Sequence, residues 1–222
     1  MVYEFYGSGG RIMRKMFDMF VWIITIVLIG IVFLMPPKVP IHWDLNGEID
    51  GYGSRYIFMI VACFPMLIDY GMLLVKEIDP KKKSFQNREK IYHLYRYGLT
   101  AFLIIMLILI DCIIFFQNIK IEKFVFLFVG LFMIGMGNYM PRLPQNYFIG
   151  IKTPWTLAND NVWQKTHRIG GYSFVIIGFI LLICSLLKRL YGFFVLILLI
   201  SAEIVFVYGY SYYIYQKSDR LY

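Results

Sequence analysis

Six long, almost uninterrupted apolar runs dominate this chain of 222 residues. They cover residues 19–35, 56–75, 97–116, 124–139 and 172–187, and a sixth begins near residue 191 and fades through 208–215. A helix rises about 1.5 Å per residue, so each run spans or nearly spans a hydrocarbon core about 30 Å thick. The charged fraction is 16%, against about 25% in soluble domains. The sequence therefore predicts an all-α polytopic membrane protein with six transmembrane helices.

Prolines mark the end of the first apolar run and the interior of the second. The first is longer than the apolar region of a secretory signal peptide, and Pro36 and Pro37 follow it where a small-residue cleavage site would stand. We therefore expect a retained helix. In the second run, Pro65 predicts a kink.

The basic residues predict the orientation of these helices. The connections on one side of the predicted bundle, together with both termini, hold 16 of the 22 lysines and arginines, and the opposite connections hold 6. Cytoplasmic connections are enriched in these residues. Both termini are therefore predicted inside. The same topology accounts for the net charge of +8 without a nucleic-acid partner.

The first outside connection, residues 36–55, reads PPKVPIHWDLNGEIDGYGSR. Asn46-Gly47 is a dipeptide favoured in two-residue hairpin turns, and apolar and polar residues alternate before it. A short β-hairpin is predicted. The alternative is a metal site, because His42, Asp44, Asn46, Glu48 and Asp50 are bunched here, although they fit neither a calcium loop nor a zinc site well. The candidate binding residues of this loop are Pro40, Trp43, Asn46, Gly47, Asp50 and Gly51.

A second long connection, residues 138–171, is predicted to be cytoplasmic. Pro141 and Pro144 stop the fourth helix, and Thr153-Pro154 favours a turn. Asn159 or Asp160 is suited to cap a short amphipathic helix that ends near Ile169. Its apolar face is expected to lie on the membrane surface, with Trp155 and Trp163 at headgroup depth.

This connection also carries the most distinctive string of the sequence. Asn138, the run QNYFIGIKTPWTL at 145–157 and Val162-Trp163 together resemble the signature of the SdpI family of bacterial immunity proteins. The outside loop VPIHWDLNGEIDGYGS is similar to a loop often found in that family, whose six-helix plan is also similar. Lys152 departs from the family, which more often has arginine there; arginine offers a planar fork that lysine lacks.

The resemblance implies both an organisation and a function. It divides the chain into an N-terminal helical hairpin, residues 1–75, and an SdpI-like four-helix part, residues 76–222. It implies a multi-pass protein of the bacterial cell membrane that gives resistance to a secreted peptide toxin outside. It also implies a receptor that sequesters a cytoplasmic transcriptional repressor. The motif residues it singles out are Asn138, Asn146, Gly150, Lys152, Thr153, Pro154, Trp155 and Trp163.

Three acidic residues, Asp69, Asp111 and Glu203, fall inside apolar runs, where ionisable groups are costly. Asp69 and Glu203 are expected at similar depth, in one site with Asn138 or nearby tyrosines. Such a site is either a functional cavity or a pair of carboxyl groups hydrogen-bonded between helices. A small proton-coupled transporter or exporter is therefore the alternative function. The sequence contains no recognisable catalytic or cofactor motif, and neither an enzyme nor a cofactor is expected.

Overall fold

The computed structural model describes residues 5–44, 48–85, 88–116, 121–186 and 192–219. Its long helices are α1 (Phe5–Val32), α3 (Phe64–Ile78), α4 (Glu89–Phe115), α5 (Ile121–Tyr139), α7 (Asp160–Leu186) and α8 (Gly192–Asp219). The short helices are α2 (Ile57–Ala62) and α6 (Pro154–Ala158), and two 3₁₀ turns cover Lys82–Phe85 and Met140–Arg142. Two strands, β1 (Lys38–Trp43) and β2 (Ile49–Ser54), lie between α1 and α2.

Six helical stretches within the described residues are long and apolar enough to cross a membrane. They are Ile12–Val32, Ile57–Ile78, Glu89–Phe115, Lys123–Arg142, Asp160–Leu186 and Phe194–Ser218. Large apolar side chains cover their outward surfaces, as lipid contact requires. The prediction of a six-helix multi-pass membrane protein is confirmed. The orientation of the bundle and its division at residue 75 stay predictions.

The second span is interrupted in its first third, beside Pro65, where the sequence predicts a kink. Helix α2 ends at Ala62 and α3 begins at Phe64, with Cys63 as the residue between them. Pro65 lies in the first turn of α3, where the absence of its N–H costs no helical hydrogen bond. The two helices together still form one stretch, Ile57–Ile78, that is long and apolar enough to cross a membrane.

Helices α5 and α7 cross at unusually short range. A Cβ added to Gly137 would lie 2.7 Å from the carbonyl oxygen of Gly171, and one added to Gly171 would lie 2.7 Å from that of Gly137. Gly130 and Gly178 form a second reciprocal pair, at 2.8 and 2.7 Å. Small residues let helix backbones approach closely in membranes, where lipid provides no hydrophobic drive for association. This pair therefore forms the tight centre of the C-terminal half.

The predicted hairpin is confirmed. Strands β1 and β2 pair antiparallel, with Lys38 opposite Ser54 and Trp43 opposite Ile49. Val39 is fully buried among residues of α1, α2 and α4, so the hairpin packs on the bundle. Arg55 donates hydrogen bonds to the carbonyl oxygens of Phe33 and Met35, which lie just beyond α1. The Asn46-Gly47 turn lies outside the described residues. We call this end of the bundle the hairpin end and the opposite end the motif end.

The predicted end of a surface helix near Ile169 is wrong. Helix α7 begins at Asp160, with Asn159 accepting hydrogen bonds from the amides of residues 161 and 162, as predicted for a cap. It then continues without a break to Leu186 and forms the fifth span. Val162, Trp163 and Thr166 do share a buried face, but it packs against protein. The helix continues because no proline interrupts it and Gly171 fits the close contact with α5.

Candidate functional site

Trp163 lies at the centre of the motif end. Its side chain is completely buried, and its Nε1 donates a hydrogen bond to the carbonyl oxygen of Leu143 at 2.9 Å. Five residues from four parts of the chain complete its cluster: Met72, Phe85, Tyr92, Tyr95 and Leu143. Trp163 therefore packs inside the protein, and its expected headgroup depth stays a prediction. Because α7 enters the bundle directly, this indole anchors the motif from inside.

Asn146 shapes the segment that we call the motif connection, residues 143–159. Its Nδ2 donates to the carbonyl oxygens of Pro144 and Ile149, both at 2.9 Å. Its Oδ1 accepts from the amides of Phe148 and Ile149. This buried side chain therefore satisfies the backbone of its own connection.

Thr153 ends the extended part of the motif connection and starts α6. Its Oγ1 accepts from the amide of Thr156 at 3.1 Å, and the hydroxyl of Thr156 accepts from the amide of Thr153 at 2.8 Å. This reciprocal arrangement is a capping box, with Pro154 favourably placed at the first helical position. Both threonines are buried. The turn expected at Thr153-Pro154 is therefore the first turn of a short helix.

His167 joins the motif connection to α7 and has no sequence signal of its own. Its Nε2 accepts from the amide of Ile151 at 3.0 Å, and its Nδ1 lies 2.9 Å from the carbonyl oxygen of Trp163. The ring also stacks on Trp163, with centroids 3.9 Å apart. Gly150 has a φ of +114°, and a Cβ there would collide with His167 Nε2. Glycine at 150 is thus required by both conformation and space.

The connection between α3 and α4 docks on the motif connection. The carboxylate of Asp79 accepts from the amides of Lys81 (2.6 Å) and Tyr147 (3.0 Å). Gln145 accepts from Lys81 Nζ, and its own Nε2 donates to the carbonyl oxygens of Thr156 and Leu157. Ser84 donates to the carbonyl oxygen of Gln145 at 2.8 Å. Sequence reasoning missed this joint, because its partners lie more than 60 residues apart.

Three predicted motif residues lie outside this buried network. Trp155 is half-buried against α8, with ring centroids 5.0 Å from Tyr208 and 4.9 Å from Tyr212. Lys152 is exposed and donates from Nζ to the carbonyl oxygen of Phe148 at 2.9 Å. Asn138 is exposed and donates to the carbonyl oxygen of Ile134 in its own helix. The motif residues therefore do not form a single face.

Asp69 pairs with Arg96, which hydropathy alone placed in a loop. Helix α4 begins at Glu89, so Arg96 lies inside the third span and is completely buried. Its Nε and Nη2 donate to the two carboxylate oxygens of Asp69 at 2.7 and 2.5 Å, and Nη2 also pairs with Asp18. Thr100 donates to Asp69 at 3.1 Å. These bonds hold α1, α3 and α4 together.

The other intramembrane carboxyl groups lie elsewhere, so the expected joint site of Asp69 and Glu203 is not formed. Glu203 on α8 accepts a hydrogen bond from Ser173 on α7 at 2.6 Å. Asp111 on α4 lines a cavity of only about 10 Å³ between apolar side chains of α1, α2 and α4. Each carboxyl group thus has different neighbouring helices and different surroundings. Asp69 and Glu203 were expected at a similar depth, but they face different helices and do not meet.

At the hairpin end, the candidate residues differ in accessibility. Pro40 is buried, and Trp43 is partly buried against a cluster that includes Ile113 and Ile121. Asp50 is exposed, with its Oδ1 2.5 Å from His42 Nδ1. Within the described ranges, no group of three His, Cys, Asp or Glu side chains converges as metal ligands would. Gly51 packs on His42, where a Cβ would lie 2.9 Å from His42 Cβ.

Comparisons with known proteins agree with this architecture. Residues 142–211 match the model of the SdpI/YfhL protein family, and residues 19–68 match that of a domain of unknown function, DUF1648. The chain is 28% identical over 203 residues to Immunity protein SdpI of Bacillus subtilis (strain 168), covering 88% of this chain and 96% of that protein. No solved structure matches the chain significantly. The resemblance predicted from the motif is confirmed.

Proposed function

We propose that this chain, a member of the SdpI family in the bacterial cell membrane, is an immunity protein that protects its cell from a secreted peptide toxin. The observation that carries the proposal is the extent of the similarity to Immunity protein SdpI, which includes 96% of that protein. It covers the hairpin end and the motif end together, so both ends are available for a shared function. The proposal needs neither a catalytic group nor a cofactor.

The finer proposal is that the protein is also a receptor, which senses toxin at the hairpin end and holds a transcriptional repressor at the motif end. The motif end presents a basic surface suited to an acidic partner. Its exposed cations are Lys82, Lys83, Arg88, Lys90, Arg142, Lys152, Lys165 and Arg168. The aromatic rings of Tyr147 and Phe148 are exposed beside them, 43% and 39% accessible. Aromatic residues and arginine are enriched at protein interfaces.

Helix α4 provides a physical route between the two ends. Near its start, Tyr92 and Tyr95 pack in the Trp163 cluster. Near its end, Ile114 packs on Val39 of the hairpin. The helix has 27 residues, which corresponds to about 40 Å. A movement of α4 that one bound partner stabilises would therefore change the affinity for the other partner, as coupling between two sites requires.

The test is a pair of assays on the same variants in a toxin-sensitive bacterial host. Survival is measured in culture supernatant from the bacterium that carries this chain, and recruitment of that bacterium's candidate repressor is measured in membrane fractions. Lys152→Glu should reduce recruitment and keep much of the protection, whereas Tyr52→Ala on the exposed hairpin surface should reduce protection. Equal loss of both activities in both variants would contradict this division between the ends.

The same host separates immunity by binding from the alternative of a proton-coupled exporter. An exporter needs the proton-motive force, so a subinhibitory protonophore should remove its protection. A protein that binds toxin should keep protecting under that treatment. We expect protection to persist, because Asp69 is occupied by Arg96 and does not form a carboxyl pair with Glu203.

A further inference from the structure

A cavity of about 290 Å³ lies between α5, α7 and α8, beside the motif connection. Its volume is near the lower limit of small-molecule sites, which occupy roughly 300–1,000 Å³. Most of its lining is apolar: Met133, Phe174, Ile200, Ile204 and Val207. The remaining wall contains residues 151–153 of the motif connection together with Glu203 and Tyr208. The cavity is therefore a mostly apolar space with one acidic residue, Glu203, in its wall.

Glu203 is poorly satisfied by the protein for a group only 8% exposed. Its hydrogen-bond partner is the hydroxyl of Ser173, 2.6 Å from Oε1. That hydroxyl also lies 3.0 Å from the carbonyl oxygen of Gly170 and has a single proton for two acceptors. A buried carboxylate requires several donors or a cation to offset its desolvation. Within the described part of the chain, Glu203 is left with one hydroxyl at most.

The other charged group of the cavity does not fill this role. Lys152 lines the chamber, but its ammonium group is exposed and lies 2.9 Å from the carbonyl oxygen of Phe148. A lysine can place its apolar stem along such a wall while its charge stays at the mouth. Lys152 therefore does not offset the charge of Glu203, and the rest of the cavity wall is mostly apolar.

We propose that this cavity is a binding site for an apolar, membrane-dissolved molecule that carries a protonated amine. The amine pairs with the carboxylate of Glu203, and the apolar part lies against α5 and α8. A neutral alcohol can donate one hydrogen bond but leaves the negative charge unpaired, and an anionic amphiphile is repelled by it. A cationic amphiphile satisfies both the charge and the apolar walls.

The site also has a direct connection to the motif. Ile151 lines the cavity, and its amide donates to His167. Thr153, which starts α6, lines it as well. A bound molecule therefore rests against the segment that sets the position of the motif connection. The inference goes beyond the immunity function, and its test does not require a toxin.

The test uses the purified full chain in detergent micelles and a dodecylamine probe that carries a photoreactive diazirine. Adducts are mapped by mass spectrometry, with unlabelled dodecylamine, dodecanol or dodecanoate as competitor. We expect saturable adducts on residues 200–208, displaced by dodecylamine at a concentration at least tenfold lower than by dodecanol or dodecanoate. Equal displacement by all three, or adducts spread evenly over the lipid-facing surface, would overturn the proposal.

Variants then assign the recognition to one carboxyl group. Glu203→Gln should raise the dodecylamine concentration for half-displacement at least tenfold, about 1.4 kcal/mol. Asp111→Asn is the matched control, because it makes the same change in another span, away from the cavity. It should leave displacement unchanged. Unchanged displacement in Glu203→Gln contradicts the proposal, and the wild-type competition decides the question even if that variant does not fold.

Discussion

The imidazole Nε2 of His167 accepts a hydrogen bond from the backbone amide of Ile151 across 3.0 Å. An amide can only donate and the carbonyl oxygen of Trp163 can only accept, so these two partners assign the proton to Nδ1. The ring is therefore neutral and held at both nitrogens. This bond attaches the motif connection to the helix bundle, because a side chain of the fifth span accepts the hydrogen bond of the Ile151 amide in place of a backbone carbonyl oxygen.

Removing this imidazole should destabilise the motif end. His167→Ala leaves the amide of Ile151 without its acceptor, which costs about 1–3 kcal/mol for a buried group. The control is Lys165→Ala, an exposed position on the same helix. Thermal unfolding of the purified proteins should show a lower Tm for His167→Ala only. Equal Tm values for both variants would show that the bond contributes nothing.

The backbone at Gly150 makes a second, independent prediction. Gly150→Ala combines an unfavourable φ of +114° with a collision at His167, so it should displace the motif connection and lower stability. Gly135→Ala is the matched control, because nothing lies within 4 Å of a Cβ there and the residue is helical. That control should be neutral or stabilising by up to about 1 kcal/mol. Protease accessibility of the motif connection is the measurement, and similar cleavage in both variants would count against the prediction.

The Asp69–Arg96 pair should be strongly coupled. Arg96→Met leaves Asp69 as an unpaired buried charge and should cost about 3–5 kcal/mol. The double variant Arg96→Met with Asp69→Asn removes that charge and should recover much of the loss. Unfolding in a denaturing detergent, compared across both single variants and the double variant, gives the coupling energy. Additive losses would mean that the two residues act independently.

Orientation is tested by labelling from outside the cell. The background replaces Cys63, Cys112 and Cys184 with serine, and single cysteines are then placed at the exposed positions Glu48 and Lys83. An impermeant thiol reagent should label Glu48→Cys in intact cells and Lys83→Cys only after permeabilisation. The reverse labelling pattern would show that the bundle has the opposite orientation in the membrane.

The spans and the hairpin could be predicted from local sequence because their causes are local. The length of an apolar run determines whether it can span a membrane. The second span is interrupted at Cys63, two residues before Pro65. Arg96 shows the limit of that reasoning. Its charged guanidinium group lowers the local hydropathy, so the apolar run of the sequence begins after it. Inside the bundle, however, Asp18 and Asp69 from two other helices compensate for its charge. The helix therefore starts eight residues before the apolar run does.

The candidate site was predicted only in part for the same physical reason. The capping role of Asn159 follows from its own neighbours. The positions of Trp163 and His167 depend on Leu143 and Ile151, which reach them only through tertiary folding. Glu203 and Asp69 matched in estimated depth, but Asp69 bonds to residues of α4 and Glu203 to a residue of α7. Depth carries no information about rotation or helix order.

The proposed immunity function is tested most directly by a killing curve. A toxin-sensitive host is exposed to increasing amounts of culture supernatant from the bacterium that carries this chain, with membrane expression measured in parallel. We predict that cells expressing the wild-type chain or Lys165→Ala survive doses that kill cells with an empty vector, and that Gly150→Ala loses much of this protection. Identical killing of vector and wild-type cells, at confirmed expression, would contradict the immunity function.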